Sequence, residues 1–276
     1  MGACMTLPSL EEMGRGRGLE WLLSKSWRGQ GEGVEWSLDF SHLYVIIYAM
    51  TKNINDITIE DLSQVGMHYG YSKTRRHPSA KQFIDKTQSG IDTIKLSDTL
   101  SMLKIAVDKI KEVQATGKAI LFVGVKPEIR PLIRQIALSI NEPYVTERFI
   151  GGSLTNFPQI KKRIEKLHDL LSKKEHGELS MYTKKEQLLI ERDIARLDKN
   201  FGGMSSMTNL PGAIVMIDSR HEDMALTEAN ITGVPVISLS NTDCDIAKIS
   251  HPVIGNDGSI ASVQYFLEVI KTALQK

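Results

Sequence analysis

Residues 65–84 read VGMHYGYSKTRRHPSAKQFI and gather side chains that bind polyanions. Lys73, Arg75, Arg76 and Lys81 fall within this stretch, and no carboxylate interrupts them before Asp85. Arginine and lysine neutralise phosphates, and the rings of His68, Tyr69, Tyr71 and His77 can stack on a base or cap a sugar. Gly66, Gly70 and Pro78 break helical continuity, so the stretch is expected to be a loop. A cation-rich, ring-bearing loop suits a polyanion with exposed bases. The competing reading is a solvated basic loop with no ligand.

Other residues could do chemistry of a different kind. Asp218, His221 and Glu222 follow an apolar run, where a histidine beside an acid can act as a general base. No motif ties a nucleophile to them, and capping of the following helix by Asp218 and Ser219 accounts for the same residues. Asn241, Thr242, Asp243 and Asp245 offer oxygen ligands, but their spacing is not that of a calcium loop and they are expected to form a turn. The Gly151-Gly152-Ser153 turn could hold a phosphate with Arg148 and the amino end of the next helix, while Asn156 is placed to cap that helix. VGVKPEIR at 123–130 matches neither GxGxxG nor the P-loop pattern. Cys4 and Cys244 form no metal-spaced pair, the histidines show no i, i+4 pairing, and a reducing compartment is the simpler assumption.

The elements that would position these residues alternate. Thr58 with Asp61 opens a short helix that stops near Gly66. Ile91 to Leu96 reads as a strand, and Ser97 is expected to cap a helix to about Thr116, with Leu100, Leu103, Val107, Ile110 and Val113 on one face. The run KAILFVG at 118–124 suits a buried parallel strand. A helix from Pro127 to about Ile140 and a short strand at 143–146 follow. A basic helix from Pro158 carries Lys161, Lys162 and Arg163, and Thr183 with Glu186 opens a second helix that Gly202 and Gly203 close. These two form a helical hairpin over about 158–202 that is expected to project from the body. AIVMID, a helix, VPVISL, a strand at 253–254 and a terminal helix from Ser259 resume the alternation. Such alternation means an α/β fold, a parallel sheet flanked by helices in a three-layer Rossmann or flavodoxin-like arrangement.

Composition narrows the partners only a little. The chain has 276 residues, 41% hydrophobic and 24% charged, with a net charge of +1, so it can bury a core and is not histone-like. Residues 1–49 differ from the rest: they hold all three tryptophans, six acids and a cluster of glycines without helical or strand period. They do not resemble a secretory or mitochondrial leader. Met50 is expected to be the initiator, with 1–49 an upstream over-read or a disordered extension, leaving 50–276 as the α/β domain. The longest apolar run, Leu43 to Met50, is too short to span a bilayer, so no membrane is expected.

Eight segments in order carry a family resemblance: GMHYGYSKTRRHPSAKQFI, AILFVG, RFIGGSLTNF, YTKKE, NFGGM, LPGAIVMIDSRHEDMALTEAN, GVPVISL and VIGNDGSI. Together they resemble the bacterial-type protein two of the small ribosomal subunit, over about Ser63 to Leu274. The resemblance implies a structural RNA-binding protein at the junction of head and body. It would contact small-subunit ribosomal RNA, help hold the large first protein of that subunit and support assembly and translation. It would have neither a catalytic site nor a cofactor, and it implies a cytoplasmic bacterial ribosome ahead of an organellar one. The RNA contacts then expected are Tyr71, Lys73, Thr74, Arg75, Arg76, His77 and Lys81, with Arg148 and Asn156, and Lys161, Lys162 and Arg163. The chain departs from the family pattern at Lys73 to Lys81, at Phe149-Ile150 where a tryptophan is usual, and at Asn241 to Ile246. The alternative is a nucleotide-binding or phospho-accepting α/β enzyme, which rests on Asp218 alone.

Overall fold

The computed structural model describes residues 56–275, so the expectation for residues 1–49 lies outside the described residues. Helix α1 (Ile59–Gln64) opens on the anticipated box, with the Thr58 backbone N–H donating to Asp61 Oδ2 at 2.9 Å. Strands β1 (Tyr69–Ser72), β2 (Ile84–Gln88) and β3 (Ile91–Ile94) form an antiparallel sheet in the order β1-β3-β2. The basic stretch is therefore structured where a loop was expected. It runs as β1, a 3₁₀ turn over Lys73–Arg75, and a second 3₁₀ turn over Pro78–Phe83. Ser89 (φ 50°) and Gly90 (φ 81°) make the two-residue turn from β2 into β3. Both central residues are left-handed, which matches the strand twist.

Helix α2 (Leu96–Ala115) follows β3 directly, then β4 (Ile120–Val123), α3 (Arg130–Ser139) and β5 (Tyr144–Val145). Ser97 is not its cap: Lys95 takes the N-cap position, and the Lys95 N–H donates to Phe83 O at 2.9 Å. Next come α4 (Phe157–Glu175), α5 (Lys184–Phe201), β6 (Ala213–Ile217), α6 (Asp223–Thr232), β7 (Val236–Ser240), β8 (His251–Ile254) and α7 (Ile260–Leu274). The large sheet is parallel throughout in the order β5-β4-β6-β7-β8. Counted within that sheet the order is 2-1-3-4-5, the flavodoxin-like winding, and its switch point lies between β4 and β6.

Side chains alternate across this sheet as the pleat demands. Ile120, Phe122, Val215 and Leu239 face a core made with Leu103 and Val107 of α2, Ile133 of α3, and Phe266 and Ile270 of α7. Leu121, Val123, Ile214 and Met216 face a second core with Ile160 and Ile164 of α4, Ile194 and Leu197 of α5, and Leu226 of α6. Three layers result. Helices α4 and α5 are paired by Lys166 Nζ to Asp193 Oδ2 at 2.8 Å, and their apolar seam is continuous with this second core.

The glycines after α5 do something other than end a helix by left-handed backbone. Gly202 has φ −54°, and a Cβ on Gly203 would lie 2.3 Å from Tyr144 O. Gly203 is there because β5 passes too close for any side chain. Gly203→Ala is therefore expected to lower stability by roughly 1–3 kcal/mol, the range for forced overpacking. Chemical denaturation of both proteins checks this, and equal midpoints would refute it.

Candidate nucleic-acid interface

The basic stretch is pinned to the α/β body from below. Tyr71 N–H donates to Thr242 Oγ1 at 3.1 Å, His77 N–H to Thr242 O at 2.8 Å, and Ile246 N–H to Ser79 Oγ at 3.0 Å. Gly70 permits the approach: a Cβ there would sit 2.8 Å from Asp92 O and 2.9 Å from Thr242 Cγ2. The Asn241–Asp245 segment is thus a turn, as expected, and it is also the platform on which the stretch rests.

The four cations do different work. Arg76 turns inward, its Nε donating to Asp92 Oδ2 at 2.7 Å and its Nη2 to Asp92 Oδ1 and to Thr87 Oγ1. Asp92 is fully buried, and the Arg76 hydrogen bonds, with help from Thr87 and against the cost of burial, hold its carboxyl below the usual range. Arg75 lies over the Tyr71 ring at 4.4 Å and donates to Asp243 Oδ2 at 3.1 Å, with its side chain 49% exposed. Lys73 and Lys81 are exposed and form no ion pair among the described residues. Thr74 is exposed beside them, its hydroxyl 2.9 Å from that of Ser72. The His77 ring is half-buried, 2.7 Å from Ser79 Oγ and 3.8 Å from Asp245 Oδ1. The ring centres of His68 and Tyr69 lie 4.0 Å apart, with the planes tilted by 39°.

So Tyr71, Arg75 and His77 meet the Thr242–Asp245 turn, while Arg76 turns to Asp92. Lys161, Lys162 and Arg163 lie elsewhere, exposed on α4 between the buried Ile160 and Ile164. No hydrogen bond or ion pair among the described residues links them to the basic stretch. Arg148 and Asn156 are exposed, and the Asn156 side chain makes no capping hydrogen bond. The nearby backbone donors are already used. The Glu228 carboxylate accepts the N–H groups of Gly152, Leu154 at 2.9 Å and Thr155 at 3.2 Å. The turn that could cradle a phosphate holds a carboxylate of its own chain.

The switch-point crevice is filled in the same way. Lys126, just beyond β4, sends Nζ to Asp218 Oδ2 at 2.5 Å and to Asp257 Oδ2 at 2.7 Å. Asn241 Nδ2 donates to Asp257 Oδ1 at 3.0 Å, His221 Nδ1 lies 2.6 Å from Asp218 Oδ2, and Val125 N–H donates to Glu222 Oε1 at 2.9 Å. Asp218 and Ser219 do not cap α6. Glu222 stands at the N-cap, and Asp218 Oδ1 instead accepts the Arg220 N–H at 3.0 Å in the turn before it. Burial opposes ionisation of Asp218, but its hydrogen bonds to Lys126 and His221 outweigh that and hold it at about 2. Burial, joined by the Asp218 charge, raises Asp257, and burial likewise takes Glu222 up to about 7 and Cys244 to about 12. An α/β enzyme would bind its ligand here; in this chain the site's own charges occupy the space.

Comparison with known proteins places the chain in a family. A profile of the family described as Ribosomal protein S2 matches residues 62–276. The chain belongs to the ribosomal protein S2 family. It is 37% identical over 218 residues to the small ribosomal subunit protein uS2 of Helicobacter hepaticus, covering 79% of this chain and 83% of that one. The uS2 proteins of Sulfurimonas denitrificans and Protochlamydia amoebophila are each 36% identical, covering 80% and 82% of this chain and 85% and 84% of theirs. The family is one of ribosomal proteins and not of enzymes, which fits an Asp218 that is paired and buried. The S2 match takes in the basic stretch, the Thr242 platform and the filled crevice. Lys126, Asp92 and Glu228, which hold these parts, were not singled out by sequence reasoning. Only the Ser89-Gly90 turn, which signals that Asp92 lies in a hairpin, gave a local cue to any of them. Among the described residues no helix is long and apolar enough to cross a membrane.

Two predictions follow from the buried charges. Arg76→Ala leaves Asp92 buried and unpaired, and should cost about 3 kcal/mol in urea unfolding, as expected for breaking a buried pair. A loss below about 0.5 kcal/mol would be that of a surface arginine. Glu222 titrates at about 7 in the fold against an ordinary 4.5. The folded state therefore takes up a proton between those values, and stability falls as pH rises through them. Glu222→Gln keeps an acceptor for Val125 N–H without that charge. It should match the parent at pH 5 and exceed it by roughly 1–3 kcal/mol at pH 8; a parallel loss in both proteins would refute this.

Proposed function

We propose that this chain is a structural constituent of the small ribosomal subunit that binds its ribosomal RNA near the junction of head and body. In this reading it supports subunit assembly and translation, neighbours the large first protein of that subunit, and works in the cytoplasmic ribosome of a bacterium. The observation that carries the RNA-binding reading is the division of labour in the basic stretch. One buried pair, Arg76 with Asp92, fixes the backbone, while Lys73, Lys81 and half of Arg75 stay exposed on it. Cations on a fixed backbone neutralise phosphates at a lower entropic cost than cations on a mobile loop.

Membership in the S2 family and the bacterial relatives named as small-subunit proteins support the same reading. Lys161, Lys162 and Arg163 form a second exposed basic surface on α4, and Arg148 and Asn156 stand open near its amino end. These supply further contacts for a large RNA.

Sucrose-gradient fractionation tests the proposal. The chain is expected in the small-subunit peak, and its absence there would sink the reading. Lys73→Glu with Lys81→Glu should reduce incorporation and flatten the salt dependence of RNA binding by roughly one unit per lost phosphate contact. The two side chains are exposed, so the melting temperature should stay unchanged.

A further inference from the structure

Arg75 has a partner that the basic stretch does not contain. Arg220, in the turn between β6 and α6, donates from Nη1 to Asp243 Oδ2 at 3.0 Å, the same oxygen that Arg75 Nη2 reaches at 3.1 Å. The Asp243 side chain is 2% exposed, whereas those of Arg75 and Arg220 are 49% and 53% exposed. One buried carboxylate oxygen therefore gathers two half-open guanidinium groups on the wall of a cleft of about 470 Å³. We propose that Arg75 and Arg220 form a fork that grips a single RNA phosphodiester, with Asp243 as the residue that positions both. The inference rests on the RNA-binding reading above and extends it to Arg220.

The geometry favours this over a pair of idle surface arginines. Each guanidinium carries five N–H donors in a fixed plane, and the bond to Asp243 leaves others facing the cleft. Arg75 is flattened on Tyr71, and the Arg220 main chain is tied through its N–H to Asp218 Oδ1, in a turn that starts from the left-handed Asp218 at φ 64°. Two arginines on one carboxylate leave a local charge of +1. Among the other residues lining the cleft, Asp245 is offset by Lys248 at 3.5 Å, while Asp223 opposes a second phosphate. A single phosphodiester suits this balance, and bidentate guanidinium recognition suits the phosphate.

The test uses the full chain and in vitro transcribed small-subunit ribosomal RNA in a filter-binding titration. Arg220→Gln and Arg75→Gln should each weaken binding roughly tenfold, the worth of one charge-assisted contact. The double variant should fall little further, because both side chains hold one phosphate, and its salt slope should drop by about one unit. Asp243→Asn makes the protein more positive, so general attraction alone would tighten binding. The fork requires it to weaken binding instead, because both arginines lose their anchor. If Asp243→Asn fails to fold, by circular dichroism, the exposed Arg220→Gln decides the matter. An unchanged affinity and slope for Arg220→Gln, or tighter binding by folded Asp243→Asn, overturns the fork. Should Lys73→Glu with Lys81→Glu weaken binding while Arg220→Gln does not, the fork alone falls. If the parent chain does not bind the RNA, the RNA-binding reading falls and takes the fork with it.

Discussion

The Lys126 ammonium is held between the buried carboxylates of Asp218 and Asp257. It ties the ends of β4 and β6 to the turn after β8, at the one place where a flavodoxin-like sheet leaves a crevice. Two buried carboxylates so close together would repel; the cation between them makes the arrangement tenable. Asn241 joins Asp257, and the same turn carries Thr242 and Asp243 outward to the basic stretch. The crevice and the basic stretch are thus successive layers of one polar network. Such a network stabilises little relative to an apolar core, yet removing any single member leaves a charge buried without its partner.

Glu228 repeats the logic on a smaller scale. A glycine-bearing turn before a helix displays N–H groups that would attract a phosphate. Here an internal carboxylate accepts them, and the turn becomes a fastening between α6 and the start of α4. At both the glycine turn and the crevice beyond β4 and β6, the chain's own side chains pair with the groups that an anion would meet. Lys73 and Lys81 of the basic stretch and Lys161, Lys162 and Arg163 of α4, by contrast, stay exposed.

The repeating elements were legible because their signal is local. Apolar runs at 120–123, 213–217 and 236–240 are fully buried strands, and the spacing of Leu103, Val107 and Ile110 marks the inner face of α2. Capping boxes at Thr58 and Thr183 also stand as read, since both partners lie within one turn. The basic stretch reads as a loop in sequence for the opposite reason. Its glycines and proline do break helices, but β1 exists only because β3 lies beside it, and Tyr69 pairs with Thr93 across a connection that contains all of β2, which periodicity does not display. Asp218 reads as a cap of the helix it precedes because capping is the local use of an aspartate, whereas its partner Lys126 is distant in sequence and adjacent only in the fold.

The cations show most clearly where sequence reasoning ends. Arg75 and Arg76 are neighbours of one residue type, and nothing local separates them. Their fates diverge because Asp92 lies across the hairpin on one side and Asp243 on the rim of the sheet on the other. Arg76 meets a fully buried carboxylate with two donors, so its charge is spent on the fold. Arg75 shares its carboxylate with Arg220, so the trio retains a positive charge that faces solvent. A count of basic residues therefore overstates the charge available to a ligand at Arg76. It also misses Arg220, whose own segment, DSRHED, is acidic overall. Charge becomes binding capacity only after the internal pairs are subtracted, and in this chain the subtraction depends on which strand the topology sets beside which turn.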